Sequence, residues 1–263
     1  YLPWLPAVYK EITVRQILTH TSGINRDVRT ANVDNFTIDE FRRRFIAAPA
    51  SFKAGERWDY SNNGYILLGL IIESVAKKPY GEFLQERIFK PLGLKNTRFS
   101  EPPAKASNRA VGYEWQDNTY RPSPYFSGGF GAGGLISTLS DMVKWDSALD
   151  SEKLLKRTSL EHMQMPAKLV NGQTVNFTYR GEQTSYGFGW FLGSYRGHKL
   201  NTHGGVLSGF SSSIHRFVDD RITIIVLCNS KEGERRAGED RMGQADALAR
   251  DIADIYVPHL SKK

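Results

Sequence analysis

The chain has 263 residues and a mass of 29.7 kDa, with 35 Lys and Arg against 28 Asp and Glu, a formal charge of +7. Hydrophobic residues make up 40% and charged residues 24%, which excludes a disordered or collagen-like chain and suits one large domain or two interleaved lobes. The longest apolar runs, Tyr65–Ile72 and Ile222–Cys228, fall far short of the roughly 18 residues that span a bilayer.

A single cysteine, Cys228, excludes a disulfide framework and any multi-cysteine zinc or iron–sulfur site, and is expected as a buried strand residue. The basic clusters Arg42-Arg43-Arg44 and Arg235-Arg236 sit beside Asp39-Glu40 and beside Glu232, Glu234, Glu239 and Asp240. They read as solvated faces, and no nucleic-acid partner is expected.

Tyr1–Pro6 is an apolar, irregular stretch, expected to lie inside a larger fold. A short helix over Val14–Thr19 leads into His20-Thr21-Ser22-Gly23. Thr37-x-x-Glu40 predicts a capping box, with Ile38, Phe41, Phe45 and Ile46 on one helical face and Pro49 beyond its end. Ser61 or Asn62 caps a helix over Asn63–Lys77, buried along Ile66, Leu67, Leu70, Ile71 and Val75. Further helices are predicted over Tyr80–Lys90 and Ser140–Leu149, with a hairpin between them around Asp117-Asn118. After residue 165 the period changes from helical to alternating. Asn171-Gly172 marks a hairpin between Lys168–Val170 and Thr174–Phe177. Strands follow over Tyr186–Tyr195, Lys199–Thr202, Phe210–Phe217 and Ile222–Asn229, then a helix over Asp240–Tyr256 with Met242, Ala245, Leu248, Ile252 and Ile255 inward. Helices first and strands afterwards predict an α+β fold: a mainly helical lobe over residues 1–165 and an antiparallel β lobe over 166–263.

Several motifs carry little. Gly129-Phe130-Gly131-Ala132-Gly133-Gly134 satisfies G-x-G-x-x-G, but Arg121-Pro122-Ser123-Pro124 before it is no central strand, so a backbone crossing near a cleft is the better reading. The six histidines contain no H-E-x-x-H pair, and His198 with His203 lacks a third ligand, so neither metal nor other cofactor is expected. The G-x-S-x-G elbow is absent as well.

Three short segments carry more. Leu18-Thr19-His20-Thr21-Ser22-Gly23-Ile24 is a polar knot between apolar residues, and Tyr60-Ser61-Asn62 places a phenol and a carboxamide two apart before a buried helix. His203-Gly204-Gly205-Val206 lies between strands, where paired glycines admit close approach and leave amide N–H groups to donate. Each alone has an ordinary structural reading. In order, with Gly55–Tyr65, Pro91-Leu92-Gly93-Leu94, Gly133–Thr138, Tyr186-Gly187-Phe188-Gly189-Trp190 and Gly209-Phe210, the set resembles the serine β-lactamase and penicillin-binding-protein superfamily, in its class C β-lactamase, D,D-peptidase and esterase branch.

The resemblance implies a serine acyl-transfer site. Tyr60 carries over as the proton-transfer residue, Asn62 as the cleft amide, and His203 with Gly205 as the H-x-G variant of K-T-G. Gly204 would lie in the substrate-binding strand and the Val206 N–H would be one oxyanion donor. The family's S-x-x-K precedes the His20 segment, so nucleophile and lysine are expected upstream of Tyr1, in an N-terminal segment that acts as this chain's partner. The chain alone is then expected to be inactive and to leave a sheet edge or face uncovered. Ser51-Phe52-Lys53 and Ser151-Glu152-Lys153 have the wrong spacing, and Ser140 meets its lysine only at Lys144.

With His203 in place of lysine and no hydroxyl at Gly204, carboxylate recognition is weakened. The expected substrate is therefore an ester, an amide or a D-amino-acid peptide, small molecule or peptide, ahead of a β-lactam. Relatives are mostly exported from bacteria, which sets the expected location. The competing expectation is a chain without a nucleophile that binds peptidoglycan-like or acyl ligands.

Overall fold

A computed structural model describes residues 1–26, 37–99, 108–124, 129–231 and 244–257. They form two units: residues 1–26, 37–99, 129–175 and 186–189 in one, and 108–124, 176–185, 190–231 and 244–257 in the other. In chain order the helices are α1 (Val14–Leu18), α2 (Ile38–Ala47), α3 (Asn62–Ala76), α4 (Tyr80–Leu84), α5 (Lys90–Leu92), α6 (Leu139–Leu149), α7 (Arg157–Met163) and α8 (Gln244–Tyr256). The strands are β1 (Arg98–Phe99), β2 (Tyr113–Gln116), β3 (Thr119–Pro122), β4 (Leu135–Ile136), β5 (Phe177–Tyr179), β6 (Glu182–Tyr186), β7 (Phe191–Tyr195), β8 (His198–Leu207), β9 (Phe210–Phe217), β10 (Ile222–Cys228) and β11 (Ser230–Lys231). The short strands β1–β4 lie between α5 and α6, contrary to a strict order of helices first and strands afterwards; the larger sheet follows α7, and the fold is α+β.

The first unit is built around α2 and α3. Phe41, Phe45, Ile66, Leu67 and Leu70 are buried together with Tyr9, Ile17 and Ile24, as their helical spacing predicts. The ends of both stripes escape: Ile46 is 50% and Val75 61% exposed. Thr37 Oγ1 accepts the Glu40 N–H at 3.2 Å, but the Glu40 carboxylate pairs with Arg43 and Arg44, so that capping box is only half formed. A complete box sits at α1, where Thr13 and Gln16 cap each other. The predicted Tyr80–Lys90 helix is α4, one π-helical stretch over Gln85–Phe89, and α5, ended by left-handed Gly93. The Asn171-Gly172 hairpin reduces to one bridge, Lys168 to Thr174.

In the second unit six strands form an antiparallel sheet in the order β10-β9-β8-β7-β6-β5. Leu200, Phe217 and Ile224 pack with Ala249, Ala253 and Val257 of the α8 segment. The helix is rotated from the predicted face: Ala245, Asp246, Ala249 and Ala253 are buried, while Leu248 is 38% and Ile255 74% exposed. Small residues allow α8 to lie close to the sheet, and Asp246 has a partner there, so the largest apolar side chains do not set the phase. Met242, His259 and the Arg235-Arg236 cluster with its acids lie outside the described residues.

The predicted strand over Tyr186–Tyr195 is confined to β7, and β5 and β6, joined through left-handed Arg180-Gly181, precede it. β10 is an edge strand, and Cys228 at its end is half-buried rather than buried. The chain then pairs β11 in parallel with β2, whose hairpin with β3 turns through left-handed Asp117 and Asn118 as predicted.

Candidate functional site

In the helical unit Tyr60 packs against His20. Its segment is held by a backbone ladder: Asp59 N–H donates to His20 C=O (2.9 Å), Gly55 N–H to Thr21 C=O (2.6 Å) and Ser51 N–H to Gly23 C=O (2.8 Å). A Cβ on Gly23, which has φ +75°, would lie 2.0 Å from the Phe52 carbonyl oxygen, so this position requires glycine.

His20 itself is left-handed, with φ +57° and 1% exposure. Its ring centroid lies 4.2 Å from that of Tyr60, 4.9 Å from Tyr65 and 4.7 Å from Tyr186. Tyr65 Oη donates to Leu18 C=O at 2.8 Å. Burial pushes the Tyr65 and Tyr186 hydroxyls well above the usual phenol range, so both stay protonated donors.

Tyr60 is half-buried and extended chain carries it into α3. Ser61 is the N-cap of α3: its Oγ accepts the Gly64 N–H at 3.1 Å and donates to Asn25 C=O at 2.8 Å. Both roles of that hydroxyl are taken, which removes it as a nucleophile. Asn62 is the first residue of α3 and half-buried, two residues on from Tyr60. Tyr60 and Asn62 thus flank the Ser61 cap at the start of α3.

The glycine-rich segment has a packing role. A Cβ on Gly131 would lie 2.3 Å from the Tyr65 carbonyl oxygen, and one on Gly69 would lie 3.0 Å from the Gly131 nitrogen. The loop thus rides directly on the backbone of α3.

One serine does have a lysine three residues on, Ser74-Val75-Ala76-Lys77. Its geometry argues against a nucleophile. Ser74 is twelve residues after Asn62 on α3, about 18 Å along the helix at 1.5 Å per residue. Its hydroxyl donates to Tyr1 C=O at 2.9 Å, and exposed Lys77 is the left-handed C-cap.

In the sheet unit, His203, Gly204, Gly205 and Val206 all lie within β8, which continues to Leu207 rather than ending at Thr202. Val218 N–H donates to Lys199 C=O at 3.2 Å, which turns the Lys199 backbone toward β9. Alternation along an antiparallel strand then turns His203 and Gly205 toward β9, and Thr202, Gly204 and Val206 toward β7. β7 reaches only as far as Thr202, opposite Phe191. Gly204 and Val206 consequently present their backbone N–H groups on the stretch of β8 beyond the end of β7. Of the two glycines, Gly204 is the one whose amide faces that edge; Gly205 faces Ser212 of β9.

The His203 Nδ1–H donates to Gly204 C=O at 2.9 Å, and its ring lies 5.4 Å from that of Phe191. Burial lowers the His203 pKa, against the smaller opposing effect of the Gly204 hydrogen bond, so the ring is neutral at pH 7. His198 Nδ1 pairs with Asp220 Oδ2 at 2.9 Å.

A helical unit and an antiparallel sheet packed on a C-terminal helix, bearing in chain order H-T-S-G, Y-x-N and H-x-G, define a β-lactamase/transpeptidase-like protein. The chain belongs to the beta-lactamase family, whose sequence model matches residues 1–249. Penicillin-binding protein 4* of Bacillus subtilis (strain 168) is 30% identical over 87% of this chain and 54% of its own length. Among solved structures, a penicillin-binding protein from Bacillus halodurans is 25% identical, with a TM-score of 0.73 over 88% of this chain and 71% of that one. The D-amino acid amidase from Ochrobactrum anthropi SV3, complexed with D-phenylalanine, is 26% identical, with a TM-score of 0.74 over 95% of this chain and 74% of that one. The chain spans about half the length of the curated relatives it matches.

Proposed function

We propose that this chain carries the Y-x-N and H-x-G elements of a serine hydrolase that works through an acyl-enzyme. The observation that carries the reading is the stretch of β8 that runs on beyond the end of β7 in a member of this family, where the Val206 N–H points away from β9. In this reading the Val206 amide stabilises the oxyanion of the tetrahedral intermediate, and losing one such donor typically costs about 100- to 1000-fold. Tyr60 is the proton-transfer residue, since a serine hydroxyl is a weak nucleophile until a base takes its proton. Asn62 orients the substrate from the start of α3, and Gly204 lines the substrate strand. The nucleophile comes from an S-x-x-K segment preceding Tyr1, and the chain by itself is inactive.

The same reading assigns the substrate class as an ester, an amide or a D-amino-acid peptide. A neutral His203 offers no cation to the carboxylate that β-lactams present, and a charge-assisted bond to such a group is roughly twice as strong as a neutral one. The likeness to a D-amino acid amidase points the same way. Intact mass after treating the full-length protein with a fluorophosphonate tests the reaction class. One adduct on a serine upstream of Tyr1 is the expected result. A chain that stays unmodified, or carries its adduct on Ser74, overturns the reading in favour of a binding module or a different site.

A further inference from the structure

We propose that His20 is the positioning residue of the Tyr60-Ser61-Asn62 turn, fixing the turn's backbone through Nδ1 and bearing the Tyr60 ring on its own. This rests on the reading of Tyr60 as the proton-transfer residue, and it assigns a role to the H-T-S-G segment that the acyl-transfer chemistry leaves unused.

The argument is one of forced directions. Ser61 N–H lies 3.0 Å from His20 Nδ1, and His20 Nε2 lies 3.1 Å from Tyr186 Oη. A backbone N–H only donates, so His20 Nδ1 carries no proton and accepts the Ser61 N–H. A ring without a proton on Nδ1 is neutral and carries it on Nε2, which donates to Tyr186 Oη. The ring is held in one tautomer and one orientation by partners at both nitrogens.

Two further features fit this role. The left-handed backbone at His20, a conformation uncommon outside glycine but enriched for His and Asn, coexists with full burial of a polar ring. The ring contact to Tyr60, 4.2 Å between centroids at 38°, is the shortest of its contacts with aromatic rings. The turn that carries the phenol and the carboxamide is thus fastened at the residue between them and supported at the phenol. A shift of about 1 Å in a reacting group can cost on the order of 100-fold in rate.

The test uses the full-length protein and a short-chain aryl ester. His20→Phe keeps a ring but loses both hydrogen bonds, and is expected to lower kcat about 100-fold while KM moves less than about threefold. His20→Asn suits the left-handed backbone and keeps an oxygen acceptor near the Nδ1 position, and is expected to recover about tenfold of that loss. Because His20 acts through Tyr60, His20→Phe made on Tyr60→Phe is expected to cost no more than about threefold further. Equal losses in the two backgrounds would mean a general structural role and overturn the proposal. Nitrogen-15 spectra of the wild type should show an unprotonated Nδ1, and a protonated Nδ1 would also overturn it. If the wild type turns over no ester, or Tyr60→Phe leaves kcat unchanged, the reading of function fails by itself. The Ser61 amide then decides the positioning role: its hydrogen exchange must quicken at least tenfold in His20→Phe, and unchanged exchange sinks it.

Discussion

His215 Nε2 of β9 lies 3.0 Å from Asp246 Oδ1 of α8, and both residues are buried. Arg180 and, at 3.4 Å, Arg250 Nε address the other carboxylate oxygen. Burial pushes the Asp246 pKa up, but the His215 hydrogen bond and charge, with Arg180 and Arg250, outweigh it and hold the carboxyl below its usual range. A depressed carboxyl stabilises the fold above the unfolded value of about 3.9 and loses that contribution as pH falls through the folded value. Asp246→Ala should cost about 3 kcal/mol in urea denaturation at pH 7, and should flatten the decline in stability below about pH 4. An unchanged midpoint at pH 7 would show that the pair does not hold α8 to the sheet.

Gly131 offers a test of the loop on α3. Gly131→Ala places a methyl against the Tyr65 carbonyl, where neither backbone can give way, and should destabilise by about 1–3 kcal/mol. Gly133→Ala is the control, since a Cβ there meets nothing within 4 Å. Equal effects in thermal melts would deny the packing role.

Alkaline stability follows from the buried phenols. Tyr65 and Tyr186 are raised by burial, and burial alone pushes Tyr80 up to about 12. A group whose folded pKa is raised contributes stability fully below the unfolded value of about 10 and loses it as pH rises toward the folded one. The helical unit should therefore weaken between about pH 10 and 12, with phenolate absorbance of these residues appearing together with loss of helical circular dichroism. Phenolate formation with the helices intact would contradict the buried network.

Much of this was legible in the sequence, for identifiable reasons. The stripe on α3 and its Ser61 cap follow from spacing and hydroxyl chemistry, and the Asp117-Asn118 hairpin from two residues that tolerate left-handed backbone. β5 and β6 were not foreseen, because Arg180-Gly181 is a weaker turn signal than Asn-Gly and Glu182–Tyr186 is polar. The phase of α8 was misjudged because Ala249 and Ala253, not Leu248 and Ile255, pack on the sheet, around a carboxylate whose partner His215 is remote in sequence. Tyr60 and Asn62 were legible as a motif, but the role of His20 was not: it depends on Tyr186, 166 residues further on.

His203 can be examined directly. Its lowered pKa predicts an NMR titration midpoint below the unperturbed 6.5. His203→Lys restores a permanent cation, and a charged hydrogen bond is worth about 1.5 kcal/mol or more. In the full-length protein it should raise kcat/KM for a chromogenic cephalosporin relative to an aryl ester by about tenfold. A ratio that does not move would separate His203 from carboxylate recognition.

The most direct measurement is the second-order rate of fluorophosphonate labelling of the full-length protein, compared with Tyr60→Phe. A proton-transfer phenol predicts a single serine adduct whose formation slows at least about 100-fold in the variant. Labelling of both at the same rate would contradict the account at its centre.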